Sequence, residues 1–227
     1  MNPHISEQYD AELASARSRL MEMGGLVEKL LQEAGEALIG HDTALAQKVR
    51  VGDKTVNQLE LDIDEQCVNI IARRQPAASD LRTLISVMKA STDLERIGDE
   101  AGRVAKMAVV LADMEYPADQ YNDFRHLTTL TSEIVAASLD AFARLDVDGA
   151  LNAIAADEAI DEAYNQIVRN RSLNMRKDPS GIERDMSVIW AARALERIGD
   201  HAKNISEYVV YQVRGQDVRH MSKKTLA

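Results

Sequence analysis

The chain has little of what sheets, disulfide frameworks and membrane spans require. Its one cysteine, Cys67, can form no internal disulfide, which suits a reducing compartment. Val68 and Ile70 lie close by, so a small buried hydrophobe is the expected role. Aromatics make up only 4% of the 227 residues, with four prolines and eleven glycines. Few breakers and much Ala, Leu, Glu and Arg favour helix over sheet. The longest apolar run, Met107 to Ala112, is far too short to span a bilayer. The stretch "MNPHISEQYDAEL" has no basic region followed by an apolar run, so no secretory signal is read there. Cations are also short: 27 Lys and Arg stand against 37 Asp and Glu, a net charge of −10. Nucleic-acid binding needs a basic face to neutralise phosphates, and anionic lipid needs the same. The expectation is a cytoplasmic protein that neither binds nucleic acid nor inserts into a membrane.

What is present is helical periodicity. Leu13, Ala16, Leu20, Met23, Val27, Leu30, Ala34 and Ala37 step by three and four, a long seam that Gly40 stops. Asp42 can cap the next helix. There Leu45, Val49, Gly52, Val56, Leu59, Ile63, Gln66 and Ile70 repeat the steps. "ARRQPAASD" ends it, because Pro76 forces Gln75 out of helical geometry. The third helix carries Val87, Ala90, Leu94, Ile97, Ala101, Val104, Ala108 and Leu111, and "MEYPADQ" breaks it. Three more helices are expected over about 121–145, 150–175 and 182–213, separated by "DVDG" and "KDPSG". The fold class expected is all-α, with two tandem three-helix bundles at 5–115 and 120–213 and a polar tail at 214–227.

The halves share more than periodicity. "LERIGD" begins at Leu94 and recurs 101 residues later at Leu195, each time in the third helix of its half. The middle helices carry "DKTVN" (Asp53 to Asn57) and "DEAID" (Asp157 to Asp161). Residues four apart on a helix share a face, so Glu95 pairs with Asp99 and Glu196 with Asp200. Relative to the apolar stripe these pairs fall roughly 140–180° away, which predicts that they face outward. A solvated charged face is the usual fate of such acids. The repeat favours a site.

If Asp157 and Asp161 converge on Glu196 and Asp200, four carboxylates meet. Each like pair at roughly 6 Å, with an effective dielectric near 20, costs about 3 kcal/mol. Protonation, the adjacent Arg96 and Arg197, or a bound cation must offset that. An all-oxygen set suits hard ions such as Mg²⁺, Ca²⁺, Mn²⁺ or iron, and no His or Cys stands at zinc spacing. Asp157 lies within an apolar stripe formed by Ile154, Ile160, Tyr164, Ile167 and Val168, and so needs a partner: arginine, helix end or metal. Gly98 and Gly199, in mid-helix, allow close helix approach or leave room for a ligand. His201, next to Asp200, is expected to be a surface histidine rather than a ligand.

Two tandem three-helix units with "ERIGD" in each third helix resemble the PhoU family of phosphate-specific transport accessory proteins. "RRQPAASDLR" (Arg73 to Arg82) and "MGGLVEKLL" (Met23 to Leu31) are similar to its helix link and its first helix. The resemblance covers about residues 5–213. It implies a cytoplasmic negative regulator of the phosphate-starvation response, acting with the ATPase subunit of the Pst phosphate transporter and the PhoR sensor kinase. It also implies metal clusters, with Glu95, Asp99 and Asp53 as ligands in one site and Glu196, Asp200, Asp157 and Asp161 in the other. Mn, Mg or Fe are the expected ions, with no organic cofactor. Asn57 departs from the acidic pattern, which predicts a weaker first site. A homodimer is compatible with this reading.

No Gly-rich phosphate loop or Ser/His/Asp arrangement stands out, so no catalytic residue is expected. Di-iron carboxylate enzymes use inward Glu-x-x-His pairs, which this chain lacks. The competing expectation is a metal-free helical adaptor whose acids bind basic partner surfaces.

Overall fold

The computed structural model describes residues 3–114 and 121–218. Six long helices account for nearly all of them, and there is no strand among the described residues. They are α1 (Pro3–Gly40), α2 (Thr43–Arg74), α3 (Ala78–Ala112), α4 (Asn122–Arg144), α5 (Val147–Lys177) and α6 (Ile182–Arg214). The expected chain break at "MEYPADQ" falls mostly on 115–120, outside the described residues, as does the tail from 219.

The same turn joins α1 to α2 and α4 to α5. His41 (φ 55°) and Leu145 (φ 56°) take the left-handed conformation, and the aspartate that follows caps the next helix. Asp42 accepts from Leu45 N at 2.9 Å, and Asp146 from Gly149 N at 3.1 Å. Each cap satisfies an orphan N–H and stabilises its helix by about 1 kcal/mol. "DVDG", read as a turn with cap residues, does supply the cap, and α5 begins at Val147 rather than near Ala150. Gln75 leaves the helix before Pro76 as expected, but in the left-handed region (φ 48°). Gly215 (φ 69°) ends α6.

The apolar stripes read from sequence are the core. Ala16, Leu20, Met23 and Val27 of α1 meet Val87, Leu94, Ile97 and Val104 of α3, all fully buried. Burial of such a side chain contributes about 1.5–3 kcal/mol. One continuous core runs through both halves. Helices α3 and α6 are central: α3 packs against α1, α2 and α6, and α6 against α3, α4 and α5. The helices holding the repeated motif are thus covered on several sides, which sets the environment of the acids.

Candidate functional site

Each acid cluster lies where a middle helix packs on a central one, α2 on α3 and α5 on α6. The glycine of each motif makes the approach close. A Cβ on Gly98 would stand 3.1 Å from Asp53 Oδ1 and 3.4 Å from Val56 Cγ1. One on Gly199 would stand 2.9 Å from Ile160 Cδ1 and 3.4 Å from Asp157 Oδ1. Both glycines serve close packing, and what they bring close includes a carboxylate.

The outward orientation expected for the acids holds for Asp200, which is exposed, and is corrected for the two glutamates. Glu196 is buried, and the Glu95 side chain is only 17% exposed. A helix with one buried stripe would leave these positions in water, but α3 and α6 are packed on several faces and α2 and α5 cover the acid side. Asp99 is half-buried, whereas Asp161 and Asp200 are exposed. Asp157 is buried, as its place in the apolar stripe predicted.

The acids do gather. Burial, then Asp200, with smaller contributions from Asp161 and Asp157, pushes Glu196 up to about 6, although Arg193 opposes this. Burial, Asp157 and Asp200 also raise Asp161, against Lys203 and Arg193. In the first half, burial and Asp99, then Glu60 and Asp53, raise Glu95, while Arg96 opposes. Asp53 is raised by burial and then Asp99. Glu60, which accepts from Thr92 Oγ1 at 3.3 Å, is a member that sequence reasoning missed. Its signal was present: it lies seven residues past Asp53, on the same helical face.

The counter-charges differ between the halves. Lys203 Nζ donates to Asp157 Oδ2 at 2.7 Å. Although burial lowers its pKa, that hydrogen bond with Asp157, Asp200 and Glu207 holds the ammonium above its ordinary value. Arg193 donates to Glu196. At the motif offset, the first half has Gly102 where the second has Lys203, and Thr92 where it has Arg193. Arg96 lies near Glu95 (3.5 Å) and Asp99 (3.9 Å), from an exposed position. Arg197 does not serve Glu196; it bonds Glu100 across the α3–α6 seam at 3.0 Å. His201 is committed elsewhere, its Nδ1 2.7 Å from Asp93 Oδ1.

Four oxygens in these clusters are buried without a hydrogen-bond partner: Asp53 Oδ1, Asn57 Oδ1, Asp157 Oδ1 and Glu196 Oε2. Buried acceptors left open are costly, and hard oxygen donors of this kind suit a hard cation. In the present side-chain positions no three His, Cys, Asp or Glu among the described residues form a group that could hold a metal. The donor chemistry fits; coordination would require rotation of side chains, for which the exposed Asp161 and Asp200 have room.

The profile of the PhoU domain matches residues 20–108 and again 124–209, one match per half. The phosphate-specific transport system accessory protein PhoU homolog of Pseudomonas putida is 52% identical over 98% of this chain and 87% of its own. Phosphate-specific transport system accessory protein PhoU of Escherichia coli is 41% identical over 97% of this chain and 91% of its own. The crystal structure of PhoU from Pseudomonas aeruginosa aligns with a TM-score of 0.89 at 50% identity, covering 92% of this chain and all of that one. The phosphate transport system regulatory protein PhoU from Streptococcus pneumoniae aligns with a TM-score of 0.85 at 28% identity, over 92% of this chain and 99% of its own.

Proposed function

The chain belongs to the PhoU family, and from that premise we propose that it is a cytoplasmic negative regulator of the phosphate-starvation response. In this reading it is an accessory protein of a phosphate-specific transport system. It acts as an adaptor between the transporter's ATPase subunit and a PhoR-type sensor kinase, and it catalyses no reaction. The observation that carries the reading is the match of both halves to the family, over nearly the whole length of relatives named for that system. No described helix is long and apolar enough to cross a membrane, which accords with an adaptor that meets the membrane through partners. Deleting the gene in a strain without a paralogue should leave phosphate-starvation genes expressed in high phosphate; intact repression would refute the proposal.

The acid clusters are the proposed metal sites, holding Mn²⁺, Mg²⁺ or iron. Glu95, Asp99 and Asp53 would hold the ion in the first half, and Glu196, Asp200, Asp157 and Asp161 in the second. Counting carboxylates alone ranks the second site higher, because Asn57 stands where Asp161 does. Counting bonded cations reverses the order: an entering ion must displace Lys203 from Asp157, whereas Arg50, Arg103 and Lys106 line the cavity beside Asp53 and Asp99 and none of them bonds Asp53. We therefore assign the tighter site to the first half.

One observation favours a metal-free alternative. Lys203 donates to Asp157 in the second cluster, so a basic side chain of a partner could enter the first cluster in the same way. Equilibrium dialysis against Mn²⁺ with elemental analysis separates the two readings.

A further inference from the structure

Opposite in sign to the rest of the chain is a groove of about 330 Å³ between α3 and α6, beside the acid clusters. Arg103, Lys106, Arg193 and Arg197 line it with only Glu100 against them, on a chain whose net charge is −10. Its α6 wall presents Trp190, 56% exposed and the only tryptophan in the chain. Leaving an indole in water forgoes a large burial gain.

The groove is pre-organised. Glu100 is 3% exposed and accepts from Arg103 Nη1 at 2.7 Å and Arg197 Nη1 at 3.0 Å. One buried carboxylate thus fixes two exposed guanidiniums on facing helices, with further N–H groups free to bond outward. The Arg193 guanidinium lies over the Tyr164 ring at 5.7 Å. Lys106 is exposed and forms no ion pair within 4 Å among the described residues, although Asp53 and Asp99 line the adjoining cavity with it. Exposed Trp with Met and oriented Arg is the composition of interface hot spots.

The repeat supplies an internal control. At the motif offset, Trp190 corresponds to Lys89 and Met107 to Tyr208. There Lys89 Nζ lies 5.6 Å from the centre of the Tyr208 ring, and Tyr208 Oη donates to Asp93 at 2.8 Å. The related groove is closed by its own side chains, whereas the one at Trp190 is left open.

We propose that the Trp190 groove docks an acidic segment of a protein partner, which inserts an apolar side chain against Trp190 and Met107 while its carboxylates engage Arg103, Lys106 and Arg197. This rests on the reading of the chain as an adaptor. The cationic rim supplies charge complementarity, and its oriented guanidiniums favour planar carboxylates.

The test measures binding of the full chain to the purified transporter ATPase subunit and to the cytoplasmic part of the sensor kinase. Trp190→Ala and Lys106→Glu alter exposed side chains, and circular dichroism checks that each variant folds. The expected result is a loss of at least about tenfold in affinity for one partner in both variants. Binding of that partner should also weaken as salt rises, while Val68→Ala on the far side of α2 changes nothing. If both variants bind both partners like the unaltered chain, the groove is not the docking surface although the adaptor reading stands. If neither partner binds the unaltered chain, the adaptor reading falls and this occupant with it. Trp190 fluorescence of the chain alone tests the other occupants. A blue shift on concentration would assign the groove to a second copy, and quenching by ATP to a nucleotide; either overturns the proposal.

Discussion

Lys203 Nζ and Asp157 Oδ2 stand 2.7 Å apart at the junction of α5 and α6, where the other half of the repeat has Gly102, which lines an open cavity with Asp53. Two copies of one motif have thus met the same electrostatic problem differently. One half bonds its own lysine to a cluster carboxylate, and the other leaves Asp53 without a bonded cation; buried carboxylate oxygen stays unpaired in both.

Lys203→Met should therefore lower stability in the absence of metal. Removing one partner of a buried pair costs roughly 3–5 kcal/mol. The Lys203 side chain is 35% exposed, so water offsets part of this and about 1–3 kcal/mol is expected. For a chain of this size that lowers Tm by on the order of 5 °C. Millimolar Mn²⁺ should restore most of the loss in the variant and change the unaltered chain less. A thermal scan with and without metal measures this; an equal response to Mn²⁺ in both proteins would contradict internal neutralisation by Lys203.

Glu196 gives a prediction whose sign depends on pH. Burial and its acid neighbours raise its folded pKa from 4.5 to about 6. Between those values the folded state binds more protons than the unfolded one, so stability falls as pH rises. The carboxyl is neutral and harmless below pH 4.5, and its full cost, about 2 kcal/mol, is present above pH 6. In chelator, Glu196→Gln should raise the urea midpoint at pH 7.5 and leave it nearly unchanged near pH 4.5. A uniform effect across this range would mean that the charge of Glu196 is not strained.

Much of this was legible in the sequence, and the limit has a physical cause. The stripes of α1 and α3, the caps and the doubled motif follow from local periodicity, which depends on each helix alone. Burial of Glu196 depends on α6 having neighbours on several faces, and no property of α6 in isolation reveals that. Asp157 was legible as a buried acid because its apolar neighbours are in its own helix. Its partner was not, although Lys203 lies seven residues past Glu196 on the same face. Choosing between Lys203, an arginine and a metal needs the register between α5 and α6. Arg197 misled for a related reason: adjacency to Glu196 suggested a pair, but successive residues on a helix point 100° apart.

The α3–α6 seam should be sensitive to Asp93. This buried carboxylate accepts from His201 Nδ1 (2.7 Å), Asn204 Nδ2 (3.1 Å) and Tyr208 Oη (2.8 Å). Asp93→Ala leaves three donors without their acceptor, at about 1–3 kcal/mol each before water reaches them. A net loss of about 2–4 kcal/mol is expected in urea unfolding, because the three are part-exposed. Tyr208→Phe removes one bond and should cost about 1 kcal/mol. If Asp93→Ala proves neutral, the network does not tie the halves together.

Paired replacements decide which half is the tighter metal site. Glu95→Gln with Asp99→Asn keeps side-chain volume and removes two charges from a cluster whose neighbouring Lys106 bonds none of its carboxylates. Glu196→Gln with Asp200→Asn does the same where Lys203 and Arg193 already neutralise two acids. Because a hard cation gains most where carboxylate charge is least compensated, the first pair of changes should remove most of the Mn²⁺ bound at sub-millimolar concentration. The second should remove little. Both variants should stay helical, since amides can bond in place of the acids and relief of like-charge repulsion offsets lost contacts. Elemental analysis after dialysis, with circular dichroism on the same samples, reads both quantities. Greater metal loss from the Glu196 and Asp200 variant would restore the ranking by carboxylate count, and binding unchanged in both would place any metal elsewhere.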